Sequence, residues 1–214
     1  MRAGGRGLRQ WSAAPWPRWS AMYYLWLALC YLAGAMPWSV WLGRWLFQVD
    51  PRDQVDGNPG TGNAFRAGGL RLGIPVLLLE LSKAAIPVLL ASRSLDASGA
   101  QLFWLGLMPM LGHAFSPFLG LRGGRGIAAM YGAWFALSGL LMPLVISLGG
   151  LLSLFVVKSD DVRGLFLPGA ALAFGLVTRA QQWMIMLAGA QLLLYAVKTF
   201  SPNPGHARAS SPLT

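Results

Sequence analysis

Apolar runs close to the length of a bilayer crossing recur along this chain from about residue 23 to residue 197. In lipid, each such run must satisfy its own backbone hydrogen bonds, which a helix does. The runs lie near Tyr23–Leu42, Leu70–Ala91, Gly99–Leu119, Ile127–Leu141, Pro143–Val157, Gly164–Val177 and Trp183–Val197. Ile127–Val157 is too long for one ordinary crossing, and Gly139 with Pro143 supplies a break. Several runs are short enough to be half-helices that enter only part of the membrane. Only 11% of the 214 residues are charged, against about a quarter in a soluble domain, so most of the surface does not face water. The expected fold is an all-α, polytopic integral membrane helix bundle of about seven transmembrane or partly spanning helices. A basic extension over 1–21, a membrane domain over 22–199 and a disordered tail over 200–214 complete the expected organisation.

The net charge of +10 would suggest nucleic acid in a soluble protein. Here the basic residues flank apolar runs and mark cytoplasmic loops instead, so no nucleic-acid partner is expected. Alternate loops and the tail hold Arg44, Arg52, Arg66, Arg71, Arg122, Arg125, Lys158, Arg163, Lys198 and Arg208, while the intervening loops hold only Arg93 and Arg179. With seven crossings the N-terminus then lies outside and both glycine-rich loops lie inside. Cys30 stands alone within the first run, and His113 and His206 are too far apart for a metal-ligand spacing. No metal and no cofactor are expected.

Two polar segments interrupt the apolar pattern on that predicted inner side. Val49–Arg71 gathers three aspartates, two asparagines, five glycines and three arginines, a composition suited to tight turns whose N–H groups hold anions. It superficially resembles a nucleotide-binding P-loop, but Asn63 and Ala64 stand where that motif needs Lys and Ser or Thr. Gly112–Gly126 reads GHAFSPFLGLRGGRG. Its glycines allow close backbone approach, and Arg122 and Arg125 offer planar forks for phosphate oxygens. Between the two segments, Glu80 and Lys83 lie three apart inside the second run, so they share a helix face and can pair. Ionisable groups at that depth usually face a cavity or pathway.

Taken in order, these segments resemble the bacterial acyl-phosphate:glycerol-3-phosphate acyltransferases, the PlsY family. Gly34-Ala35-Met36-Pro37 followed by Arg44 resembles the family's G-S-x-P segment. Asp50, Arg52, Gly57, Asn58, Gly60, Asn63 and Arg66 fall on its D-x-R-x-x-G-S-G-N-x-G-A-T-N-x-x-R loop, and Glu80, Lys83 and Pro87 on its D-x-x-K-G-x-x-P segment. Gly112–Gly126 matches G-H-x-F-S-P-F-L-x-x-K-G-G-K-G nearly position for position. The departures are Ala35 for serine, Val55-Asp56 for Gly-Ser, Thr61-Gly62 for Ala-Thr, Ala84 for glycine, and Arg122 and Arg125 for lysines. The family's C-terminal H-R-x-N-I-x-R-L segment is not recognisable in Tyr195–Gly205. An aspartate at position 56 weakens anion binding unless an arginine pairs with it.

The resemblance implies transfer of a fatty acyl group from acyl phosphate to the 1-hydroxyl of glycerol 3-phosphate. Its products would be lysophosphatidic acid and phosphate, the first step of phospholipid synthesis, at a bacterial inner membrane and without metal or CoA. His113, Asn58, Lys83 and Ser116 are the expected catalytic residues, with His113 either a general base or a hydrogen-bond donor. Arg52, Asn63, Arg66, Arg122, Gly123, Gly124, Arg125 and Gly126 are the expected substrate-binding residues. The first substrate's phosphate would be clamped by Arg52, Arg66 and Lys83, and its hydroxyls oriented by Asn58 and Asn63. The enzyme that supplies acyl phosphate is an expected partner, beside the bilayer itself. No nucleophile–base pair argues for an acyl-enzyme, and a phosphate oxygen of the donor can itself take the proton. Two rivals remain: a carrier for a small phosphorylated solute, and a non-catalytic member that binds lipid intermediates. The carrier is disfavoured by the one-sided polar clusters and by the lack of an internal repeat.

Arg2, Arg6, Arg9 and Arg18 precede the first run with no acidic residue among them, which conflicts with an outer N-terminus. Translation from Met22 removes the conflict. The intact mass of the native protein checks this, and a mass that includes residues 1–21 counts against it.

Overall fold

A computed structural model describes residues 20–54 and 56–200. The basic extension as far as residue 19 and the tail from residue 201 lie outside the described residues, so the expectations for both, and the position of Val55, are not met by structure. Eight helices follow in order: α1 Ala21–Ala35, α2 Trp38–Phe47, α3 Thr61–Ser94, α4 Ala100–Ala114, α5 Ile127–Ser138, α6 Leu141–Val156, α7 Asp160–Val177 and α8 Gln182–Phe200. Short 3-10 turns at Pro51–Asp53 and Pro117–Leu119 complete the described elements. By length and apolarity α3, α4 with its following turn, and α8 suffice to cross a membrane, while α5 and α6 are shorter apolar helices.

The first apolar run is not one helix. It breaks at Met36-Pro37, and α1 and α2 are bent by 41° at that point. Proline removes a backbone donor and disfavours helix at the residue before it, and Met36 is extended with ψ 117. The polar stretch Val49–Arg71 is likewise only half a loop, since α3 already begins at Thr61, capped by Gly60. Gly69, at φ 60 and ψ −154, then breaks the helix, a conformation that glycine adopts without a Cβ penalty. A short helix thus stands at the membrane edge before the long apolar one. At the start of α1, Ser20 accepts the Tyr23 N–H at 3.3 Å. A chain that began at Met22 would lack that cap.

The helices alternate between two ends. Arg125 reaches Asp56 at 3.7 Å and Asp161 at 2.5 Å, so the α2–α3, α4–α5 and α6–α7 connections meet at one end. The end of α8 joins them, with Lys198 Nζ 5.2 Å from the Phe115 ring centroid. At the other end, Tyr23 donates to the Gln101 carbonyl at 3.1 Å, within a cluster that takes in Val88, Leu95, Leu105 and Leu137.

Within lipid the helices gain nothing from hiding apolar area from each other, and close packing with a few polar contacts must hold them. The α1–α4 crossing shows how close that packing is. A Cβ at Gly34 would strike the backbone of Pro109, and one at Gly112 the carbonyl of Tyr31. On the far side, buried Trp134 of α5 donates from Nε1 to Gln191 of α8 at 2.7 Å. Gly112→Val should therefore push α1 from α4 and cost about 1–3 kcal/mol, the usual range for an overpacked core. Thermal unfolding in detergent measures this, and an unchanged melting temperature would show that the crossing yields freely.

Candidate functional site

A lysine placed mid-helix in α3 must find partners inside the protein, and Lys83 finds three. Its Nζ donates to the Met36 carbonyl at 2.8 Å, lies 2.7 Å from Glu80 Oε2, and lies 3.1 Å from His113 Nδ1. Glu80 Oε2 is also 3.1 Å from His113 Nδ1. All three side chains are buried. The carbonyl released by the α1–α2 break thus becomes a ligand for the ammonium. Removing Glu80 or Lys83 would strand the other's buried charge, at roughly 3–5 kcal/mol. The tautomer of His113 follows from which neighbour engages Nδ1. A proton shared with Glu80 leaves Nε2 basic, whereas a proton from Lys83 makes Nε2 a donor.

Beside this cluster lies a cavity of about 810 Å³. Its polar end is lined by Asn58, Asn63, Arg66, His113, Arg125 and Gly126, with the start of α3 at Thr61 and Gly62. Its apolar wall comes from Leu77 and Leu81 of α3 and from Ile127, Ala128 and Tyr131 of α5. Asp56 ties the polar end together. Its Oδ1 accepts from Asn63 Nδ2 at 2.6 Å and from the Asn58 N–H at 3.2 Å, and its Oδ2 lies 3.7 Å from Arg125. Arg66 in turn donates to Asn63 Oδ1 at 2.8 Å. The negative charge that Asp56 introduces is therefore compensated by an arginine, the condition set by the sequence. Asn58 Oδ1 and Thr61 Oγ1 are buried with no hydrogen-bond partner among the described residues.

Gly124 sits where these groups converge. A Cβ there would fall against both Asn58 Oδ1 and His113 Nε2, so its absence leaves a polar cradle between the two. Gly123 has a different place, packed against the His113 carbonyl, with its N–H donating to Ala114 at 3.2 Å.

Other expected site residues stand apart from the cavity. Ser116 spends its hydroxyl on the Ala35 carbonyl at 2.6 Å, tying the end of α4 to the end of α1. Arg122 is exposed. Arg52 forks onto Asp50, with Nη2–Oδ2 at 2.8 Å, and Arg44 reaches the same carboxylate at 2.7 Å. Burial pushes the Asp50 carboxyl up, but hydrogen bonds from the Arg52 side chain and N–H, with Arg44 beside them, hold it well below the usual range, at about 2. Lys83 is adjacent to the cavity, but its Nζ is turned to the Met36 carbonyl and the Glu80 carboxylate. Sequence reasoning passed over Tyr131, Asp160, Asp161 and the facing of Glu80 toward His113. An Asp-Asp pair opening a helix that is apolar beyond Arg163 was the legible signal for α7. Among the described residues no three His, Cys, Asp or Glu side chains group as metal ligands.

The arrangement offers paired arginines, open N–H groups at a helix start and unpartnered oxygens beside an apolar wall. Such a site suits a phosphorylated, hydroxyl-bearing molecule meeting an apolar chain. Residues 24–205 match the family model described as Glycerol-3-phosphate acyltransferase. A glycerol-3-phosphate acyltransferase of Myxococcus xanthus is 37% identical over 173 residues, covering 79% of this chain and 86% of the relative. One from Anaeromyxobacter dehalogenans is 40% identical over 123 residues, 53% of this chain. The chain spans about three fifths of the length of that relative, 61%. The fold is similar to crystal structures of PlsY, an integral membrane glycerol 3-phosphate acyltransferase. Its glycerol 3-phosphate form gives a TM-score of 0.74 at 27% identity, covering 82% of this chain and 87% of that one. The lysophosphatidic acid form, at 24% identity and a TM-score of 0.73, shows the shared fold. A substitution that fills the cradle, Gly124→Ala, should leave the fold intact and abolish ligand binding or turnover at this site. A variant that is monodisperse in detergent and still fully active would place the chemistry elsewhere.

Proposed function

Because this chain belongs to the glycerol-3-phosphate acyltransferase family, an integral, multi-pass membrane fold, we propose that it transfers a fatty acyl group from acyl phosphate to the 1-hydroxyl of glycerol 3-phosphate. The observation that carries the reading is the cavity itself, polar at one end and apolar along α3 and α5. The phosphate of glycerol 3-phosphate would meet Arg66 and the N–H groups of Thr61 and Gly62, where the start of α3 favours an anion. Asn58 Oδ1, buried without a donor among the described residues, accepts a glycerol hydroxyl in this scheme. Arg125 with the Gly124–Gly126 backbone holds the donor's phosphate, and the acyl chain follows the Leu77, Leu81 and Tyr131 wall toward lipid.

The hydroxyl oxygen attacks the acyl carbon, the carbon–oxygen bond to phosphate breaks, and the proton leaves on inorganic phosphate. His113 Nε2 lies beside the cradle, and with the Nδ1 proton shared with Glu80 its lone pair is free to pass that proton. A donor already activated as a mixed anhydride needs positioning and charge stabilisation more than a nucleophile. Lys83 acts behind His113, through Glu80. The membrane domain over 22–199 faces its site loops to the cytoplasm of a bacterial inner membrane, with the start of α1 outside, an orientation that the Arg and Lys of the loops support. The enzyme that supplies acyl phosphate is its partner there.

Purified protein in detergent, given palmitoyl phosphate and radiolabelled glycerol 3-phosphate, should form lysophosphatidic acid. Arg125→Ala should lose roughly a hundredfold or more, the scale of removing one charge-stabilising donor. Binding of either substrate without product would favour the carrier or lipid-binding reading.

A further inference from the structure

The cavity contains more carboxylates than an anion site should tolerate. Asp56, Glu80, Asp160 and Asp161 line it, with Arg66 and Arg125 the lining arginines among the described residues. Arg125 is doubly engaged, with Asp161 Oδ1 at 2.5 Å and Asp56 Oδ2 at 3.7 Å. Its charge is therefore compensated before any phosphate arrives, and a phosphate that takes the Nη2 side has to displace a carboxylate.

The two carboxylates are not equally able to leave. Asp56 is 23% exposed and bound through its other oxygen to Asn63 and to the Asn58 N–H. Asp161 is 46% exposed, and Arg125 is its only ion-pair partner among the described residues. It stands in the first turn of α7, where the helix start stabilises a carboxylate even when it is unpaired. Asp160, beside it, pairs instead with Arg163 at 2.8 Å.

We propose that Asp161 is an exchangeable counter-anion of Arg125, displaced by the phosphate group of a substrate and restored when phosphate leaves. The inference rests on the phosphate-binding role given to the cavity. It makes Asp161 a determinant of affinity: every binding event breaks the Arg125–Asp161 pair, and every release reforms it. The site then keeps a compensated charge throughout, and the phosphate product meets a competitor that is already tethered.

Asp161→Asn removes the competitor. The test is Kd by titration calorimetry for glycerol 3-phosphate and, separately, for palmitoyl phosphate in detergent, with Asp160→Asn as the comparison. Both variants remove one negative charge from the same cavity, and Asp160→Asn frees Arg163 while leaving the Arg125 contact in place, so a gain confined to Asp161→Asn reports that contact. Asp161→Asn should lower Kd about fivefold for one of the two ligands, equivalent to roughly 1 kcal/mol, and that ligand is the one whose phosphate takes the carboxylate's place. Equal gains in both variants, or an unchanged or higher Kd in Asp161→Asn, overturn the proposal. So does failure of both Asp161→Asn and Asp161→Ala to fold, since an exchangeable contact is not needed for folding. Tighter binding without lysophosphatidic acid formation sinks the proposed reaction and leaves the exchange standing. Product formation with unchanged Kd does the reverse.

Discussion

A charged ammonium deep in a helix bundle dictates much of what surrounds it. Lys83 cannot be left in lipid, and its charge is costly unless every proton is met. Glu80 pairs with it from the preceding turn, His113 of α4 closes on the pair at 3.1 Å from each, and the Met36 carbonyl accepts a hydrogen bond from it. The last is available only because α1 ends there, so the break in the first span and the buried lysine satisfy each other. That one cluster draws α1, α3 and α4 together, and its His113 lines the cavity. The glycine contacts of α1 with α4 let the carbonyl and the imidazole approach to the required distances.

Arg125 performs a comparable service at the surface. It joins the loop before α3, the segment before α5 and the start of α7 through Asp56 and Asp161. Three connections that the chain separates by dozens of residues become one end of the bundle. The same group is the strongest candidate to hold a substrate phosphate. A residue with both duties has to exchange partners rather than stand free, and this is why carboxylates line a cavity suited to anions.

Much of this architecture was legible in the chain. Hydropathy located all seven apolar segments, and Gly139 marked the boundary between α5 and α6 because φ 61 there suits only glycine-like backbone. Glu80 and Lys83 were expected to pair from their spacing. The bend at Met36-Pro37 was missed because apolar residues continue through it, and hydropathy does not register a backbone break. The helical half of Val49–Arg71 was missed for the opposite reason: polar, glycine-rich composition reads as loop, while Thr61–Gly68 still closes helical hydrogen bonds. Ser116, Arg52 and Arg122 carried the chemistry expected of a site, yet their partners lie in the scaffold or in solvent. Asp161 lies 36 residues from Arg125, so only the packing of α7 against α8 and the bundle brings it near.

The lining of the cavity changes character between Gly126 and Tyr131, about one and a half turns of a helix or roughly 8 Å. In the proposed reaction such a gradient is the seam between two phases. A molecule dissolved in water and another dissolved in the bilayer can meet there without either one changing solvent. An amphiphile made at the seam is already oriented, head outward and tail inward, and leaves by sliding sideways within the leaflet. The search for the lipid partner is then two-dimensional, and the release of an oily product never has to proceed against its own insolubility.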